Sequence, residues 1–257
     1  MLLFSYNSTM SDQKPSLTKL EAFQKVLAHY DASEHALQVL KASPFVAMSG
    51  IAGGGRNTLI NYLVENGPYY FVISDTTRPP KFRDGKMEVH GVNYFFRTED
   101  DFLDDLERGE FIEAEIIHNQ QVSGTSIREI EKAQSLGKIP IHDFELGGAE
   151  EVYRLKPDAT IIGLLPPSFE DWQYRLGARE KMHDHEFKNR METAVKVLES
   201  MLERPYLKFV ISGDLNDSSQ HLRDIVEHGI YTDEQHAKGL EIAQLILEKT
   251  RKLLAEI

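Results

Sequence analysis

The run Ser49-Gly50-Ile51-Ala52-Gly53-Gly54-Gly55-Arg56-Asn57-Thr58 has the residue types of a phosphate-binding loop. Gly50 and Gly55 keep the glycine spacing of the pattern G-x-x-x-x-G-K-[ST]. In that pattern backbone N–H groups cradle phosphate oxygens, the lysine reaches the outer phosphates and the hydroxyl serves Mg²⁺. Here Arg56 stands at the lysine position and Asn57 at the hydroxyl position. Arg56 keeps the positive charge on a longer, planar fork. Asn57 offers a carbonyl oxygen to Mg²⁺ or its water, with Thr58 next door. An apolar run, Pro44 to Met48, precedes the loop, and Leu59, Ile60, Leu63 and Val64 follow at helical spacing. The glycines thus lie between a strand and a helix N-terminus, where an anion is favoured without the lysine. The bland alternative is a glycine-rich turn used only for its shape.

A second constellation is Ser74-Asp75-Thr76-Thr77-Arg78-Pro79-Pro80-Lys81, followed by Arg83, Lys86, Glu88, Gly91 and Tyr94. Hydroxyls and basic groups at the end of a strand, with a tyrosine beyond, suit a phosphomonoester, because an arginine fork matches phosphate oxygens. The run T-T-R-x-P with a downstream E-x-x-G-x-x-Y resembles the GMP-binding region of guanylate kinases. The resemblance continues in order through Phe111-Ile112-Glu113-Ala114, Ser123-Gly124-Thr125-Ser126, Asp143-Phe144-Glu145, Gly148-Ala149 and Pro166-Pro167-Ser168. It ends with Arg175, Leu176, Arg179 and Arg190, and covers roughly residues 44–228.

The resemblance implies an α/β P-loop NTPase fold with a parallel-sheet core, a small GMP-binding subdomain at about 75–126 and a helical lid at about 175–195. It places Ser74, Glu113, Thr125 and Glu145 around guanine, whose N1–H and N2 amino group suit a carboxylate acceptor. Hydroxyls there can meet O6 or N7. Arg78, Lys81, Glu88 and Tyr94 fall on the GMP side, with Arg83 and Lys86 as alternatives to Lys81 because extra residues precede Glu88. The family's phosphate-holding tyrosine is replaced by Ser123, and its aspartate by Glu145. Gly50, Gly53, Gly54, Gly55, Arg56, Asn57 and Thr58 fall on ATP, Asn57 and Asp143 on Mg²⁺. Arg56, Asp143 and the lid residues Arg175, Arg179 and Arg190 form the implied catalytic set, since phosphoryl transfer needs charge at the equatorial oxygens.

These residues need a scaffold, and the hydrophobic pattern supplies one. Short β-type runs (45–49, 69–74, 111–117, 140–144, 159–165 and 207–212) alternate with helical ones, which implies βαβ units on a largely parallel sheet. Tyr94–Arg97 adds a short strand outside that series. Thr98-Glu99-Asp100-Asp101 starts an acidic helix that Gly109 stops, and 168–202 reads as helix, a charged turn around Met182–His185, and helix. A helical extension precedes this domain (residues 1–43) and a single helix follows it (230–257). In the first, Thr18 and Glu21 suggest a capping box, with Leu20, Phe23, Leu27 and Tyr30 on one face. In the second, Leu240, Ala243, Leu247, Thr250 and Leu254 suit packing on the chain's own core ahead of a coiled-coil seam. A homodimer through these extensions is the alternative use.

The 257 residues carry 29 basic and 41 acidic side chains, a net charge of −12. That balance speaks against non-specific binding to nucleic acid or anionic membranes. The absence of cysteine excludes disulfides, thiol catalysis and thiolate metal sites, and fits a reducing cytoplasm. No run approaches the roughly 18 apolar residues that span a bilayer. Met1-Leu2-Leu3-Phe4 is too short for a signal-peptide core, and Met10 reads as a second possible start. His183 and His185 flank Asp184 as a solvated turn, and Trp172 reads as a packing residue. Two classes of function remain. One is Mg²⁺-ATP-dependent phosphorylation of GMP or dGMP, slowed by Arg56 and Asn57. The other is a non-catalytic nucleotide or phosphopeptide binding module on the same frame, as in membrane-associated scaffold proteins. A third option, another small acceptor as in ribose bisphosphate kinases, is opposed by Ser74, Glu113 and Thr125.

Overall fold

A computed structural model describes residues 17–83, 85–179 and 184–256, without the side chains of Arg83, 178–179 and 184–185. The elements in chain order are α1 (Leu20–Leu27), α2 (Glu34–Lys41), β1 (Val46–Gly50), α3 (Arg56–Asn66), β2 (Tyr69–Phe71) and β3 (Asp75–Thr76). There follow β4 (Phe82–Arg83), β5 (Lys86–Met87), β6 (Phe95–Phe96), α4 (Glu99–Glu107), β7 (Phe111–Ile117), β8 (Gln121–Ser126) and α5 (Ile127–Ser135). The last are β9 (Ile139–Asp143), α6 (Leu146–Leu155), β10 (Thr160–Leu165), α7 (Phe169–Arg179), α8 (Asp184–Leu202), β11 (Lys208–Ile211), α9 (Leu215–His228) and α10 (Asp233–Glu256).

Five of the strands form an all-parallel sheet in the order β11-β10-β1-β9-β2. Both faces are covered, so the central strands are largely apolar, and every residue of β1 is buried. Alternation sends Val46 and Met48 to one face, among Leu59, Ile60 and Leu63 of α3 and Leu222 and Ile225 of α9. Phe45 and Ala47 join the other face, with residues of α2, α6, α8 and α10. Burying each such side chain contributes about 1.5–3 kcal/mol.

A second sheet, β6-β3-β8-β7, stands beside the first and is mostly antiparallel. This corrects the sequence reading in two places. The run Phe111–Ile117 forms a strand as expected, but pairs with β8 in the smaller sheet rather than joining the parallel series. The expected strand 69–74 is cut short at Phe71, and a separate strand beyond it, Asp75–Thr76, pairs with β6 and β8. Strand β8, rich in small polar residues, was not legible as a strand.

The N-terminal helices bolt onto this second sheet. Leu17 and Phe23 pack with Phe102, Leu103, Leu106, Phe111 and Val122, and the Tyr30 hydroxyl donates to the Phe111 carbonyl at 2.6 Å. The capping box does not form. Glu99 of α4 accepts from the N–H groups of Thr18 and Lys19 and from the Thr18 hydroxyl, so the cap comes from across the chain. Helix α10 buries Ala243, Ile246, Leu247 and Thr250 against its own core. Its close approach requires Gly239, where an added Cβ would lie 2.3 Å from that of Phe209. None of the described helices is long and apolar enough to cross a membrane. Met10, Met182 and His183 lie outside the described residues, and the second half of the expected turn at Met182–His185 is instead the start of α8.

Candidate nucleotide site

The glycine loop sits between β1 and α3, at the C-terminal edge of the parallel sheet, where ligands of open α/β sheets bind. Gly53 and Gly55 have φ of 81° and 100°, a conformation that L side chains rarely adopt. Gly55 is the N-cap of α3 and has no side chain to cap it. The first N–H groups of the helix are left for an anion. Gly50 passes under the Leu164 carbonyl, where a Cβ would sit at 2.5 Å. The backbone cradle is therefore fully formed.

The side chains at its mouth are arranged differently from a lysine loop. Arg56 is turned onto Asp143, Nη1 to Oδ1 at 2.8 Å. The angle is poor, because Asp143 Oδ1 is buried without an aligned hydrogen bond. Desolvation outweighs Arg56 and, with a contribution from Glu145, pushes the Asp143 carboxyl up to about 6. Asn57 and Thr58 are exposed at the start of α3. An orphaned carboxylate oxygen at the end of β9 and an exposed amide at the start of α3 have the donor chemistry for Mg²⁺ that arrives with phosphates and water as its other ligands. Among the described residues no cluster of three or more His, Asp or Glu side chains could hold a metal alone.

Helix α7 closes over the same loop. Trp172, fully buried, donates to the Ala52 carbonyl at 2.8 Å, so it does more than fill space. Arg175 donates to Ser212 Oγ at 2.8 Å and to the Ser212 carbonyl at 2.5 Å, and Ser212 Oγ donates to the Gly54 carbonyl at 2.6 Å. Ser212 was not singled out in the sequence; its only signal was its place at a strand end. Tyr174, Arg175, Gly53, Gly55 and Ser212 line a cavity of about 360 Å³. Arg190 of α8 lines a second, of about 170 Å³, with Ile51 and Ala52, and pairs with Glu186 at 2.6 Å. The Arg179 side chain lies outside the described residues.

The residues expected on the acceptor side converge where the two sheets meet. Thr125 Oγ1 donates to Glu113 Oε1 at 2.7 Å across the β7–β8 ladder. His142 Nε2 lies 3.3 Å from that hydroxyl and 3.2 Å from Ser74 Oγ. Burial pushes Glu113 up to about 7, and pushes His142 down to about 4, so the imidazole is neutral. His142 and Asp143 are successive residues of β9. One joins the Ser74–Thr125–Glu113 set; the other meets Arg56 at the loop. No sequence pattern pointed to His142, a lone histidine at the end of an apolar run.

Beside this set Arg78 is gripped by both oxygens of Glu88, at 2.5 and 2.9 Å, and lies 4.7 Å over the Tyr94 ring. Glu88 also accepts from the backbone N–H of Lys81 at 2.9 Å. Glu88 therefore orients an arginine. The Glu145 side chain is exposed at the N-cap of α6, where it makes no cap bond. Asp75, buried next to Ser74, holds Arg97 and Arg128 at 2.6 and 2.7 Å.

A doubly covered parallel sheet with a glycine loop at its C-terminal edge defines a P-loop NTPase fold. Comparison with known proteins narrows the class. The guanylate kinase family model matches residues 42–229. A guanylate kinase of Sulfurimonas denitrificans is 32% identical over 189 residues, 73% of this chain and 88% of the relative. One of Synechococcus sp. is 34% identical over 183 residues, 70% of this chain and 81% of the relative. The crystal structure of guanylate kinase from Anaplasma phagocytophilum has the same fold, with a TM-score of 0.53 at 20% identity over 74% of this chain and 88% of that one. The chain belongs to the guanylate kinase family.

Proposed function

We propose that the protein transfers the γ-phosphoryl group of ATP to GMP or dGMP. The observation that carries this reading is the adjacency on β9: His142 faces the Ser74–Thr125–Glu113 set while Asp143 faces the phosphate loop. Consecutive residues of one strand thus tie a base pocket to a phosphate cradle at a fixed spacing. Glu113 and Thr125, with Ser74 and Glu145, hold guanine through its N–H donors. Arg78, aimed by Glu88 and flanked by Tyr94 and Lys81, takes the acceptor phosphate. The loop Gly50–Thr58 takes the donor phosphates. Arg175, Arg179 and Arg190 of a lid at about 175–195 supply positive charge as the phosphoryl group moves in line. Asp143 and Asn57 would hold Mg²⁺, which neutralises charge on the donor phosphates when bound. Localisation in the cytoplasm belongs to the same proposal.

One observation favours the second reading, a binding module without turnover. Arg56 faces Asp143 and so turns its charge toward a carboxylate of its own chain. The two readings separate on mixing protein, Mg²⁺-ATP and GMP and measuring GDP, for the natural chain and for Arg56→Lys/Asn57→Ser. Turnover in the natural chain, increased about tenfold in the double variant (about 1.4 kcal/mol of barrier), supports the kinase. GMP binding without turnover in either form supports the module.

A further inference from the structure

Behind the acceptor pocket lies a charge cluster that the proposed reaction does not use. Asp75 is fully buried and spends its two oxygens separately, Oδ1 on Arg128 at 2.7 Å and Oδ2 on Arg97 at 2.6 Å. Arg97 lies between β6 and α4 and also holds Asp105 of α4 at 2.7 Å. Arg128 stands in the first turn of α5, where the helix dipole disfavours a cation, with its guanidinium 4.5 Å over the Phe95 ring. Replacing such a buried cluster by apolar residues is often neutral or stabilising, so stability alone does not account for it.

Its place in the chain does. Strand β3 has only two residues, Asp75 and Thr76, paired with Phe95–Phe96 on one side and Ser123–Gly124 on the other. Ser74, expected at the base, comes just before it, and Arg78, expected at the acceptor phosphate, follows after Thr77. So short a ladder makes few hydrogen bonds to hold the strand in place. Successive side chains of a strand point to opposite faces. Asp75 therefore braces β3 from behind, tied to the segment before α4 and to α5, while Ser74 faces the pocket.

We propose that Asp75 is a positioning residue that fixes the spacing between the base end and the phosphate end of the acceptor site. It thereby sets the preference for a nucleoside monophosphate over its nucleoside. The proposal rests on the placement of GMP between Ser74 and Arg78. Base and phosphate belong to one ligand, so docking one end presents the other at high effective concentration only where the two subsites match the ligand's span. A braced β3 holds that span before the ligand arrives. A loosened β3 must be ordered on binding, and that ordering weakens the ligand held at both ends most.

The test is equilibrium binding of GMP by calorimetry, and of guanosine by competition against GMP, which needs no turnover. The proteins are the natural chain, Asp75→Asn and Arg128→Gln, each checked for folding by circular dichroism. Asparagine keeps the size of the side chain and removes its charge. Arg128 is 44% exposed, so its replacement carries the same question at less risk to folding. The expected result is a GMP-over-guanosine preference that falls at least about tenfold in Asp75→Asn and less in Arg128→Gln, with guanosine affinity changed by less than about twofold. A folded Asp75→Asn that keeps the full preference overturns the role of Asp75, as does Arg128→Gln where asparagine prevents folding. An equal loss for GMP and guanosine also overturns it, because general damage to the sheet weakens both. These outcomes leave the proposed reaction standing. A natural chain that binds GMP no more tightly than guanosine overturns the placement of Arg78 on the acceptor phosphate, and this proposal with it.

Discussion

The acceptor pocket and the phosphate loop handle charge in opposite ways. In the pocket buried and half-buried polar groups pair with matched geometry: Arg78 with Glu88, Thr125 with Glu113, Ser74 with His142. At the loop the backbone is complete and Arg175 is matched with Ser212, but the first side chains of α3 are not matched. Arg56 and Asp143 touch without an aligned hydrogen bond, and Asn57 is exposed. A satisfied buried network is rigid and selective, because any other arrangement strands a polar group. A loosely paired ion pair at a cleft mouth is easily re-formed around an incoming charge. The difference suggests that base recognition is built in before the ligand arrives, whereas the donor site is completed by it.

The largest effect should come from breaking the tighter pair. Arg78→Ala removes the bidentate partner of Glu88, 7% exposed, and should cost about 3–5 kcal/mol of stability in a urea melt. Arg56→Ala should cost clearly less, because Asp143 can take up a proton in its place. Equal losses would remove the contrast between the two regions.

Next in size is Glu113→Gln. In the proposed placement this loses a charged acceptor for guanine, about 1.5–3 kcal/mol, so kcat/KM for GMP should fall roughly 10- to 150-fold while KM for ATP stays. A matching rise in KM for ATP would show that the two sites are not separable in this way.

A smaller effect follows from pH. Burial raises the Glu113 carboxyl to about 7, and in the proposed placement only its ionised form accepts from both guanine donors. Its ionised fraction grows about tenfold between pH 6 and 8, so KM for GMP should fall by up to that factor. Glu113→Gln retains only the titration of GMP itself, and identical profiles for the two proteins would dismiss the assignment.

The smallest effect concerns the scaffold. Tyr30→Phe removes the hydroxyl that donates to the Phe111 carbonyl and accepts from its N–H. A loss of about 0.5–1.5 kcal/mol, or a few degrees in Tm, is expected by calorimetry, with GMP selectivity unchanged. Altered selectivity would extend the rigid pocket into the N-terminal helices.

Much of the site was legible because its signals are local. Glycine spacing after an apolar run marks a strand, loop and helix start whatever surrounds them, and the loop lies where that pattern puts it. The acidic helix behind Thr98 is equally local, with Thr98 Oγ1 accepting from the Asp101 N–H. The misreadings share a cause: the deciding partner is distant in sequence. Phe111–Ile117 has the same apolar character as a core strand, and only β8 and β3 decide which sheet receives it. Thr18 looked like a cap and instead serves Glu99, 81 positions away.

By itself the sequence determined the strand–loop–helix cradle, the ordered resemblance to guanylate kinases and the two substitutions, Arg56 and Asn57, that set this loop apart. Tertiary structure decided what those residues meet. It turned Arg56 onto Asp143, put Glu88 behind Arg78 and brought His142 from an apolar strand to the two hydroxyls of the pocket. Backbone conformation follows neighbours a few residues apart, while a buried side chain's hydrogen-bond role is fixed by whichever groups the fold presses against it.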